Sequence, residues 1–120
     1  MEAVRTVLQI VVALGIFNVW ILRFGKSTGW RGGSASSMKE EFAVYGLPTW
    51  FMGVVGALKL LFAAMLIAGI WLEPLVLPAA IGLGVLMLGA IAMHVRVKDP
   101  AKKSVPAFTM LVLCILVAVL

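Results

Sequence analysis

The chain has 120 residues, of which 63% are hydrophobic and 12% charged, against roughly 25% charged in a soluble domain. A water-soluble globule of this size has too little interior for so much apolar side chain, because surface shrinks more slowly than volume as chains shorten. The bilayer is therefore the expected solvent. The net charge of +5 fits the enrichment of Lys and Arg in the cytoplasmic loops of membrane proteins, and no basic helix or aromatic-basic platform points to nucleic acid. Cys114 is the one cysteine, which excludes disulfide frameworks and cysteine-based metal sites, and no metal site is expected.

A helix needs about 20 mostly apolar residues to cross the hydrocarbon core. The first such stretch covers about residues 4–24. Its apolar region is too long for a secretory signal, and Arg23, Lys26 and Arg31 separate it from the small-residue triplet Ser34-Ala35-Ser36, so it reads as a true span. A Gly/Ser-rich run follows. Beyond it, Met38, Phe42 and Tyr45 recur at helical spacing opposite Lys39, Glu40 and Glu41, which predicts a short interfacial helix over residues 37–45. Gly46 supplies its end signal, and Pro48 suits the first turn of a second span over about 48–72. A third span covers about 75–97. Asp99 followed by Pro100 reads as the start of a fourth over about 101–120, with Asp99 as its cap and Pro106 as a bend or a late restart. The expected fold is all-α and integral to the membrane: a single domain, residues 1–120, built as an antiparallel four-helix transmembrane bundle with one interfacial helix. Short connections make consecutive spans neighbours. Gly53, Gly56, Ala57, Ala64, Ala68, Ala80 and Gly84 are expected to face inward, where small residues let helices approach in lipid.

Eight of the ten Lys and Arg residues flank the first and third connections. Positive-inside counting places both connections in the cytoplasm and both termini outside, for a multi-pass protein of the cell membrane.

Three polar residues inside the spans need partners or a cavity. Lys59 lies near the midplane by helical rise, His94 in the last turn of the third span, and Asn18 a few residues inside the same boundary. His94 fits a proton carrier, a ligand contact or, first among the three, a hydrogen-bonded residue that locks the helix end. Asn18 fits an interhelical hydrogen bond, and Gln9, in the opposite leaflet, would belong to a separate contact. If Asn18, Lys59 and His94 face one another, they form a polar pocket open toward the cytoplasm that would bind a ligand or partner. Glu40 and Glu41 are the nearby acids, and the interfacial helix could fold one of them against Arg23 or Lys59.

Phe42, Gly46-Leu47-Pro48, the run from Gly53 to Lys59, Gly69-Ile70-Trp71-Leu72, and His94 with Asp99-Pro100 resemble the DoxX-like family of small four-span membrane proteins, over residues 38–120. The third connection is also similar, in the order His, Asp-Pro, Lys, to that of the neuronal acetylcholine-receptor assembly chaperone. Many relatives carry a Glu where this chain has Lys59. The resemblance implies a four-span fold, and for some members a role beside a quinone-linked oxidoreductase. Two functions follow. One is a binding, assembly or accessory protein in the lipid bilayer whose bundle packs against other membrane proteins or a second copy, or holds a lipid-like ligand. The other is the membrane subunit of a quinone-linked oxidoreductase with a quinone as ligand, supported by His94 and by Trp20, Trp50 and Phe51 near the interface. One His and one Cys cannot supply paired haem ligands or an iron–sulfur cluster, and no dinucleotide fingerprint occurs, so no haem, flavin or other cofactor is expected and catalysis in isolation is disfavoured.

Overall fold

A computed structural model describes residues 2–120, and every regular element among them is helical. Four helices are long and apolar enough to cross a membrane, at Glu2–Leu22, Thr49–Ala68, Glu73–Arg96 and Ala101–Val119. In detail, α1 is Glu2–Phe17 and continues as a π-helical turn over Asn18–Leu22. The short α2 is Met38–Val44, α3 is Thr49–Ala68, α4 is Val76–Arg96 and α5 is Val105–Val119. Ser37 caps α2 by accepting the Glu40 amide at 3.2 Å, and Met38, Phe42 and Tyr45 turn their side chains inward. Gly46 then takes a φ of +76°, which a side chain would resist, and lets the Gly46 and Leu47 amides bond back to Ala43 and Phe42.

α1 lies beside α3 and α5, and α4 beside the same two, so the four long helices form a square with α1 and α4 on one diagonal. The molecule measures 40 × 26 × 20 Å. Its outside is apolar: Val7, Leu14, Ile21, Leu61, Trp71, Val85, Phe108 and Ile115 are all exposed. Only 11% of the Ala101–Val119 span is buried within the protein, so lipid must cover the rest. One end carries the first and third connections with their Lys and Arg residues and is called the basic end below. At the other end Arg5 pairs with Glu73 at 3.0 Å and donates to the Val117 carbonyl. Gln9 donates to the Leu66 carbonyl at 2.8 Å, a bond between α1 and α3.

Several expectations need correction. Gly56, Ala80 and Gly84 are buried, but Gly53, Ala57 and Ala64 are exposed. At 100° per residue these three lie about a third of a turn away from the buried stripe of Met52, Gly56, Ala63 and Leu66. α3 stops at Ala68 rather than near residue 72; Gly69 follows as its cap where the chain turns into α4, and a Cβ there would lie 2.5 Å from Val76 Cγ2. Asp99 does not cap the last span. That span starts with a tighter turn over Ala101–Ser104 and restarts as α5, with Pro106 in its first turn where no amide is needed.

Candidate functional site: a cavity at the basic end

The square of helices is not filled at its basic end. A cavity of about 740 Å³ lies there, walled by α1, α3, α4 and α5 and covered by α2 and the 28–31 loop. Asn18, Lys59 and His94 all line it, as do Arg23 and Glu41. Glu40 does not reach it: its carboxylate bonds to Ser36 and Ser37 on the exposed side of α2.

Lys59 is the eleventh residue of α3, about 15 Å along the axis from Thr49 by helical rise. Side chains lean toward the N-terminus of their helix, which for α3 is the basic end. The Lys59 ammonium accordingly lies over the ring of Trp20, 5.2 Å from its centroid, a contact of about 1 kcal/mol when partly desolvated. Among the described residues Lys59 has no ion pair. Trp20, expected at the interface, is instead 7% exposed. The π-turn explains this: the Arg23 amide reaches back five residues to the Asn18 carbonyl at 2.9 Å, and the wider turn feeds Trp20 into the bundle against Gly56. Asn18, adjacent in the same turn, is left exposed, so its amide is not the buried interhelical bond that was expected.

An aromatic ladder climbs from Trp20 to the basic surface. Trp20 meets Phe42 at 6.0 Å, Phe42 meets Tyr45 at 6.1 Å, and Tyr45 meets His94 edge-on at 5.8 Å. The polar tips of the last two rings join a chain of hydrogen bonds. Arg31 pairs with Glu41 at 2.9 Å, Tyr45 donates to the other Glu41 oxygen at 2.7 Å, His94 Nε2 lies 3.4 Å from the Tyr45 hydroxyl, and His94 Nδ1 lies 2.7 Å from Asp99. A proton on Nδ1, directed at the carboxylate, satisfies both groups. Asp99 also accepts the Gly33 amide at 3.0 Å, and Lys103 donates to the Gly33 carbonyl. The first and third connections are thus locked together. Burial pushes the Asp99 carboxyl up, but the His94 hydrogen bond, the Gly33 amide and the Lys103 charge outweigh it and hold it below the usual carboxylate range. Burial, then the charge of Glu41 and its hydrogen bond, raise the Tyr45 phenol well above its usual value, so Tyr45 stays a neutral donor.

Arg31 is the main residue that sequence reasoning missed. Counted there as a loop charge, it is 4% exposed and bonds to the carbonyls of Lys26, Arg23 and Phe24 as well as to Glu41. It takes the ion pair that had been offered to Arg23, whose own side chain is exposed and makes no ion pair among the described residues. No periodic pattern marks an irregular loop, so Arg31 left no signal. Tyr45 did: a phenol on the apolar face of a helix must find a partner for its hydroxyl.

The family model described as DoxX-like matches residues 7–119. No curated protein and no solved structure matches at a comparable standard, so the similarity of the third connection to the assembly chaperone rests on the order His, Asp-Pro, Lys alone.

Proposed function

The chain belongs to the DoxX-like family, and on that footing we propose that it is a binding or accessory membrane protein that holds a small lipid-like ligand inside its bundle. Asn18, Lys59 and His94 are its contacts, with Glu41 and Arg23 at the rim. One observation carries the reading: residues this far apart in sequence line one cavity of about 740 Å³, within the roughly 300–1,000 Å³ typical of small-molecule sites. The walls around them are apolar, which suits a ligand drawn from the bilayer. The proposed orientation keeps the first and third connections in the cytoplasm and both termini outside, supported by the eight Lys and Arg residues beside those connections.

Native mass spectrometry of the protein released from a mild detergent tests the reading. A small molecule is expected to stay bound to the wild-type chain and to be lost from Lys59→Met. A wild-type chain that emerges bare from every mild detergent contradicts the proposal.

A second reading, a subunit beside a quinone-linked oxidoreductase, draws on His94, which lines the cavity with Asp99 bonded behind it. Solvent extraction followed by absorption spectroscopy separates the two readings, because a quinone at one per chain favours the second.

A further inference from the structure

The cavity is electrostatically unbalanced. Arg23, Arg31, Lys59 and Lys103 line it against a single carboxylate, Glu41. Arg31 is neutralised by Glu41, and Lys103 is held by the Gly33 carbonyl with Asp99 4.0 Å away. Lys59 and Arg23 remain, and among the described residues neither side chain has an ion pair. For Arg23, exposed at the mouth, water or a lipid headgroup suffices. Lys59 is in mid-span, where a cation without a counter-charge is costly. Glu41 is the nearest acid in the lining, but its two oxygens are committed to Arg31 and Tyr45. Among the described residues no carboxylate is left to balance it.

The walls limit what kind of anion it is. Phe51, Val55, Val85, Met87 and Met110 surround the cavity with apolar surface, which gives a small hydrated anion little to replace its water. A neutral lipid fits those walls and leaves Lys59 unpaired. Resting on the ligand-holding role above, we propose that the cavity selects an amphiphile with an anionic head, a carboxylate or a phosphate, seated on Lys59 beside Trp20 with its chain along the apolar walls.

The test compares four probes on the purified full-length protein in a nonionic detergent: oleate, oleyl alcohol with the same chain, oleoyl lysophosphatidate and inorganic phosphate. Binding is read by Trp fluorescence and by native mass spectrometry. Oleate or lysophosphatidate is expected to bind about tenfold or more tightly than oleyl alcohol, and the better of the two identifies the source of the head. Inorganic phosphate is expected not to displace either. Lys59→Met should bring oleate down to the affinity of oleyl alcohol, and Lys59→Arg, which keeps the charge and guards against misfolding of the first variant, should retain the preference. Equal binding of oleate and oleyl alcohol by the wild type overturns the anionic class and leaves the cavity reading standing. Displacement by inorganic phosphate, or a preference that survives in Lys59→Met, also overturns it. Failure of every amphiphile to bind overturns both readings.

Discussion

Lys98 has a φ of +59°, a left-handed backbone that glycine normally supplies. The strain has a use. It lets the Lys98 and Asp99 amides bond back to Val95 and His94 at 3.0 Å each, which swings the Asp99 carboxylate under the His94 ring. Lys98→Gly should keep this geometry and raise stability by about 1 kcal/mol, read as a higher Tm in detergent. Asp99→Asn should lower stability by about 2 kcal/mol, the usual cost of losing hydrogen bonds to a charged group. Because the folded Asp99 carboxyl sits below its ordinary value, its contribution is complete above the unfolded pKa of about 3.9 and is lost as pH falls through the lower folded value. Acid unfolding of the wild type should show that loss below about pH 4, and Asp99→Asn should lack it. The sequence placed His94 at a helix end with a locking role, and the structure gives it that bond. It also presented Asp99 before a proline as a cap, because capping is local and the pull of Gly33 from the first connection is not.

At the scale of elements, the π-turn and the buried loop set the cavity. Trp20 occupies the space that a side chain at position 56 would need, with a Cβ there 2.6 Å from its ring. Gly56→Ala should therefore cost about 1–3 kcal/mol by overpacking and disturb the Lys59–Trp20 contact, visible as a shift in Trp emission. Arg31 anchors the first connection. Arg31→Ala leaves the part-buried Glu41 without its cation, a loss of about 2 kcal/mol, and should make the exposed Lys26 a trypsin site in the folded protein. Trypsin resistance equal to the wild type would contradict the anchoring role. The helices themselves were legible from runs of apolar residues, and Gly46 and Pro48 marked their ends. The π-turn was not legible, because it depends on how Trp20 packs against Gly56 across the bundle. For the same reason the sequence could not separate the inward Gly56 from the outward Gly53 and Ala57: in lipid both faces of a helix are apolar, so composition carries no phase.

For the whole molecule, charge and span count fix an expected orientation that single cysteines can read. In a Cys114→Ala background, Ser34→Cys and Glu73→Cys sit at opposite ends on exposed residues, and an impermeant maleimide added to intact cells should label only the second. Labelling of Ser34→Cys from outside would reverse the topology. The spans were readable because hydrocarbon imposes their length. The cavity was readable only as a conditional on Asn18, Lys59 and His94 sharing a face, since its shape depends on α2 and Arg31 closing it from above. The claim that matters most is that this space holds a molecule, and a high-resolution density map of the protein in lipid nanodiscs tests it most directly. The account predicts elongated density in the cavity with one end against Lys59 and Trp20. A cavity collapsed onto the side chains of Met87 and Met110, or holding only isolated waters, would contradict it.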